Sequence, residues 1–292
     1  MFNEDEKKKE IDNLIEIVNN SEISSIKNTV MQLINIIDDP NSSAKDLKKI
    51  IEIDPPLTAK LIRRANSAYY GYSKNIKEIR DAIVCLGFDE VKELALSQKI
   101  YDMFDNQNNI NGYSRISLWQ HSVAVALFCK FIYRKEFRGK GDNIYAIGLL
   151  HDIGIIILDQ FLHSEFIKTL NMMEHNKANI IDAEMEVFGF THSDIGAAIL
   201  EKWGFSDEMV VAVRNHHNVM GEEENLMKVV YTIYIANHSC NSAKIGYCDT
   251  SYRNMSLFQK CLLRLDIKDI ALKLIIEDVK EEINKMKNAG WF

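Results

Sequence analysis

His151 and Asp152 stand side by side inside AIGLLHDIGIIIL, the most apolar stretch of this 292-residue chain. A carboxylate buried there without a partner costs several kcal/mol, so Asp152 needs a cation, a metal or strong hydrogen-bond donors. Gly148 and Gly154 flank the pair and permit close backbone approach. One further histidine from a neighbouring helix would complete a nitrogen and oxygen donor set suited to iron, manganese or zinc. His121 is a candidate, because Leu118, His121, Val125, Phe128 and Ile132 form one inward-facing helical stripe. A histidine so placed must be hydrogen-bonded or ligate a metal. His192 opens THSDIGAAILEKW, with Thr191 as its expected N-cap, and His216-His217 close the helix that carries Met209, Val210 and Val213. These five histidines lie at or beside apolar faces, whereas His163, His175 and His238 have polar or mixed settings. A shared metal or anion site is favoured over five independent structural histidines.

The elements that position these residues read as helices almost throughout. Leu14, Ile17 and Val18 share one face of a first helix, and Val30, Leu33, Ile34 and Ile37 one face of a second. Asp54-Pro55-Pro56 reads as an N-cap followed by proline in the first turn, where its missing N–H costs nothing. That helix carries Leu57, Leu61, Ile62 and Ala65, and it stops near Asn66-Ser67. Its end holds Arg63, Arg64, Asn66, Ser67, Tyr69 and Tyr70, either an anion- or partner-binding surface or a helix C-terminus whose dipole favours arginine. The second reading is preferred. Ile76, Ile79, Ile83 and Leu86 form another stripe, closed by Gly87. The turn-rich segment 105–114 is expected to connect an N-terminal helical lobe, 1–105, to a second lobe, 115–292. The last helix, 266–287, places Ile267, Ile270, Leu274, Ile283 and Met286 on one side. It is expected to pack on its own domain, with a homodimer or partner surface as the alternative.

Composition sets the class. Only 13 glycines and 3 prolines occur, none of the prolines after Pro56, which favours an all-α fold over a turn-rich β architecture. Lysine and arginine number 35 against 42 acidic residues, a net charge of −7, so no general attraction to nucleic acid or anionic lipid is expected. Lys7-Lys8-Lys9 is enclosed by acids and reads as a solvated helix face. Five cysteines without a CxxC fit reduced thiols rather than a disulfide framework. The opening MFNEDEKKKE has no apolar core, so no signal peptide is expected; with no membrane-spanning window foreseen, the expectation is a cytoplasmic protein.

At its histidines the sequence resembles the HDOD family, a branch of the HD phosphohydrolase superfamily found in bacterial signalling proteins. The resemblance runs from about residue 23 to 220, through IEIDPPLTAKLIRRANSAYYG, IKEIRDAIVCLGFDEVKELAL, LWQHSVAVA, LLHDIG, VFGFTHSDIGAAILEKWGF and VRNHH. It implies a wholly helical, two-lobed fold. In active HD enzymes a histidine, the HD pair and a later aspartate hold metal, and His121, His151 and Asp152 match the first three. The aspartate would fall on VVYTIYIANHSC, which offers Asn237, a neutral and weaker ligand. His192, His216 and His217 are similar to the extra histidines of the HD-GYP branch, which cleaves cyclic dinucleotides. Yet Asn218-Val219-Met220-Gly221 follows in place of GYP, and Ser117 stands where that branch has glutamate. The implied function is a signal-transduction or regulatory module with a divalent metal at His121, His151, Asp152, His192, His216 and His217 and little or no hydrolysis; no catalytic residue is assigned. An active metal-dependent phosphodiesterase is the alternative. A signalling protein partner and a phosphate or nucleotide ligand are expected with it.

Overall fold

The computed structural model describes residues 4–71, 76–104, 109–110, 112–176, 178–219, 224–248 and 254–292. The chain runs through α1 (Glu4–Asn19), α2 (Ile23–Asp38), α3 (Ala44–Ile53), α4 (Pro55–Ala65), α5 (Ile79–Leu86) and α6 (Phe88–Tyr101). The pair β1 (Asn109–Ile110) and β2 (Tyr113–Ser114) follows, joined antiparallel. Then come α7 (Arg115–Lys135), α8 (Asp142–Leu150), α9 (Ile153–Phe161), α10 (His163–Asn176), α11 (Ile180–Val187) and α12 (His192–Lys202). The chain finishes with α13 (Asp207–Asn215), α14 (Glu224–Ser242), α15 (Met255–Arg264) and α16 (Asp269–Asn288). The fold is all-α, as the scarcity of glycine and proline requires. Part of the connector expected over 105–114 lies outside the described residues, as do 221–223, part of an expected loop.

Several caps act as the sequence dictates. Asp54 accepts from the Leu57 amide at 3.0 Å, with Pro55 and Pro56 in the first turn of α4. Thr191 and Asp194 form a reciprocal capping box that fixes the start of α12, where His192 sits. Gly87 ends α5 with φ of 94°, a conformation costly to any residue with a Cβ.

Helix α7 is the central beam: α8, α14 and α16 all pack against it, while α9, α12 and α13 form a neighbouring layer. Two stretches, Arg115–Lys135 and Asp142–Phe161, are long and apolar enough to cross a bilayer, but 72% and 89% of their windows are buried inside the fold. Lys7 departs from a purely solvated face, because its ammonium reaches Asp194 at 2.9 Å and ties α1 to the start of α12.

Three sequence expectations are corrected. Ile17 is 53% exposed, and Ile15 takes the inward position beside Leu14 and Val18. On α16 the buried stripe is Leu272, Ile275, Val279, Ile283 and Met286; Ile270 and Leu274 lie on the opposite, exposed side. A 3.6-residue period accepts either register over two turns, and packing against α7 selects the second. Finally, AIGLLHDIGIIIL is not one helix. It breaks at His151-Asp152, with Asp152 at φ −100°, ψ 16° between α8 and α9.

Close backbone approach holds that break in place. A Cβ on Gly154 would lie 1.9 Å from the His192 carbonyl oxygen, and one on Gly148 would lie 2.5 Å from Ala126 Cα. Backbone stands in the way in both cases, so neither site can accommodate a methyl by moving a side chain. Gly154→Ala is expected to cost more than about 2 kcal/mol in urea-induced unfolding. A loss below about 1 kcal/mol would refute this account of the α9–α12 contact.

Candidate metal centre

The helix break turns Asp152 into the hub of the molecule. As the residue preceding α9 it could cap that helix, yet its side chain makes no capping hydrogen bond. Instead Oδ2 lies 3.2 Å from His151 Nε2 and 3.8 Å from His121 Nε2, and Oδ1 lies 3.3 Å from His216 Nε2 and 3.6 Å from His192 Nε2. His192 Nε2 is 3.0 Å from His217 Nε2 and 3.2 Å from His216 Nε2. All six residues singled out in the sequence are thus brought together, from α7, the α8–α9 break, the start of α12 and the end of α13. They form two groups that share Asp152: His121, His151 and Asp152, and Asp152, His192, His216 and His217.

Hydrogen bonds on the far side of three of the rings fix their tautomers. His151 Nδ1 donates to the Gly148 carbonyl at 2.8 Å, His216 Nδ1 to the Val213 carbonyl at 2.6 Å, and His192 Nδ1 to the Glu184 carboxylate at 2.8 Å. A neutral imidazole that donates from Nδ1 keeps its lone pair at Nε2. Three such nitrogens and a carboxylate therefore converge with no proton between them, and His151 Nε2 has no hydrogen-bond partner. Electron-rich atoms packed this way repel one another unless a cation lies among them. The donor set, imidazole and carboxylate without thiolate, suits a divalent transition metal.

Burial reinforces the arrangement. His151 and His192 are fully buried, and His121, Asp152 and His216 nearly so; only His217 keeps part of its surface exposed. Desolvation pulls His121 and His216 down to about 4 and lowers His217, so these rings are neutral at pH 7. Burial alone would raise the Asp152 pKa; protons on the facing His151 and His216 nitrogens hold the carboxyl well below its usual range, and where those nitrogens are proton-free a metal cation would take that place. Metal binding requires these protonation states.

Two supporting residues were not singled out in the sequence. Glu184, fully buried on α11, grips His192 twice, accepting from its backbone amide at 2.8 Å and from Nδ1. Burial raises its pKa and His192 opposes that rise. The signal was present: Ile180, Ala183, Glu184 and Val187 form one stripe at helical spacing, with an acid among apolar residues. Ile245, the second, offers its carbonyl to His121 Nδ1 at 3.4 Å. Asn237 of α14 does reach the cluster, with Oδ1 2.9 Å from His121 Nε2, and Asn241 donates to the same oxygen at 2.9 Å.

An all-helical fold with a buried histidine–aspartate cluster at a helix break defines an HD-like class of protein. The HDOD domain profile matches residues 23–219, and the chain belongs to that family. An HDOD domain protein from Geobacter sulfurreducens is similar over 90% of both chains, with a TM-score of 0.76 and 25% identity. A candidate phosphohydrolase from Shewanella amazonensis shares the fold over 90% of this chain and 93% of its own, with a TM-score of 0.65 and 20% identity. An uncharacterized protein of Treponema pallidum (strain Nichols) is 22% identical over 223 residues, 74% of this chain and 42% of its own. The chain spans less than half the length of the curated relatives it matches.

Two outcomes follow. Glu184→Gln weakens the hold on His192 and should lower divalent-metal affinity by about 10- to 100-fold in competition with a chelating dye. In the metal-free protein, His121 and His216 have folded pKa values below the unfolded 6.5. The unfolded chain therefore binds more protons below pH 6.5, and the stability these rings contribute is complete above that value and lost as pH falls toward about 4. Each ring contributes a slope of up to about 1.4 kcal/mol per pH unit. Urea unfolding with chelator at pH 7, 6 and 5 measures it; a flat profile would contradict the burial argument.

Proposed function

We propose that the chain is an HDOD-type regulatory module of bacterial signal transduction, cytoplasmic, in which the histidine–aspartate cluster holds a divalent metal and hydrolysis is weak or absent. The convergence of proton-free imidazole nitrogens on Asp152 carries the metal reading. His121, His151 and Asp152 would hold one ion, and His192, His216 and His217, sharing Asp152, a second. Iron, manganese or zinc suits this nitrogen-rich set. A bound ion there supplies Lewis acidity and lowers the pKa of coordinated water. The chain's own residues do the positioning: Gly148 O, Val213 O and Glu184 orient three rings, and Asp152 offers one oxygen to each group.

Two observations favour regulation over turnover. Asn237 supplies a neutral amide beside His121, so that half of the site has one negative charge fewer than an aspartate would give. The cluster is also enclosed, and among the described residues of the six only His217 is partly open to solvent, which leaves little room for a phosphodiester. The sharing of Asp152 by two ligand groups supports the second reading, a working two-metal phosphohydrolase. A signalling protein partner, and a homodimer, belong to the regulatory reading.

Elemental analysis and activity assays separate the two. The purified protein is expected to carry stoichiometric iron, manganese or zinc that His151→Ala removes, and to leave bis(p-nitrophenyl) phosphate and cyclic dinucleotides intact. Turnover that disappears with the metal would overturn the regulatory reading, and absence of metal would overturn the metal reading. Asn237→Asp is expected to tighten metal binding by about tenfold or more, because an amide becomes an anionic ligand.

A further inference from the structure

The end of α4 holds a second polar site, built from the RRANS segment and remote in character from the histidine cluster. A cavity of about 220 Å³ lies where this segment meets the residues after α16. Its side chains are Lys60, Arg63, Arg64, Ser67, Gln98 and Tyr101, roofed by Trp291, and no carboxylate is among them.

Arg64 is the central observation. Its Nε donates to Gln98 Oε1 at 2.8 Å, and its guanidinium lies 4.2 Å from the Trp291 ring centroid. Both partners are neutral. Among the described residues no carboxylate lies within ion-pair distance of Arg64 or of the exposed Arg63 beside it, whereas Lys60 is paired with Asp102 at 2.7 Å. Burial pulls the Arg64 pKa down, the signature of a cation removed from water without a counter-charge. Ser67 Oγ and Trp291 Nε1 are both buried with no hydrogen-bond partner. Among the lining side chains, donors thus outnumber acceptors.

The dipole of α4 explains why arginines are tolerated here but not why they lack an anion. A helix C-terminus carries about half a negative charge. The ends of α4 and α16 therefore favour cations here, yet neither Arg63 nor Arg64 has a carboxylate partner among the described residues. Planar guanidinium groups bind phosphate through two parallel hydrogen bonds. Asn66, by contrast, is consumed by the fold, since it donates to the Ile62 and Ile76 carbonyls and accepts from the Ile76 amide.

We propose that this cavity is an anion site for the phosphate group of a small phosphorylated ligand, with Arg63, Arg64 and Ser67 as its donors and the Tyr101 and Trp291 rings beside it. The site stands whether or not the histidine cluster binds metal. Its volume fits a phosphate with a small attached group rather than a dinucleotide.

Calorimetric titration of the full chain, treated with chelator to remove any metal-bound phosphate, tests the site with three probes: inorganic phosphate, adenosine monophosphate and adenosine. Phosphate and the monophosphate should bind once per chain. Arg63→Gln and Arg64→Gln should each weaken binding by about tenfold or more, with His151→Ala without effect. Arg63 is exposed, so its variant keeps the test open if Arg64→Gln fails to fold. Monophosphate binding tighter than phosphate assigns a nucleotide-like ligand, and equal binding assigns the free ion; both support the site. The proposal fails if neither phosphate probe saturates below about 10 mM. It fails too if Arg63→Gln binds like wild type, if adenosine matches its monophosphate, or if His151→Ala abolishes binding.

Discussion

One buried carboxylate organises this molecule. Asp152 lies at a point where a continuous apolar helix would have left it unpaired, at a cost of several kcal/mol. The chain answers by breaking the helix and bringing imidazoles to both oxygens, from α7, α12 and α13. Much else serves that arrangement. Gly154 lets α9 approach the His192 carbonyl, the Thr191–Asp194 capping box fixes where α12 begins, and Glu184 fixes which way the His192 ring faces.

The two polar sites are chemically opposite. At Asp152 lone pairs converge and donors are lacking, whereas beside Arg64 cationic donors gather with no carboxylate in the lining. Each asks for a ligand of the other sign, and α16, which packs on α7, ends at the second site. Lys7 of α1, outside the family span of 23–219, is paired with Asp194, the partner of Thr191 in the capping box that starts α12. Helices outside that span therefore contact the elements that build both sites.

Much of the site was legible in the sequence because burial and polarity conflict there. His121, His151 and His192 interrupt apolar stripes, and only a shared purpose makes such interruptions cheap. The resemblance to the HDOD family supplied the order of the motifs and pointed to Asn237. The break at His151-Asp152 was not legible, since apolar periodicity continues through it and the reason to stop lies in three other helices. Glu184 was overlooked because one acid in an amphipathic helix reads as surface until its stripe is traced. On α16, periodicity gave a helix but the wrong face for Ile270 and Leu274, because two registers satisfy the same short pattern. Arg64 read as a dipole-favoured residue; its missing counter-ion is a tertiary fact.

The far-side hydrogen bonds of His151, His192 and His216 have one more consequence, and it concerns time. Rings locked before an ion arrives lose little freedom when it binds, and walls this closed give an ion few routes out. Exchange must then wait for the helices to part, an event far rarer than side-chain motion. An ion held at such a centre would leave only as fast as the helices part, so its loss to a chelator would report the opening of the fold rather than the motion of a side chain.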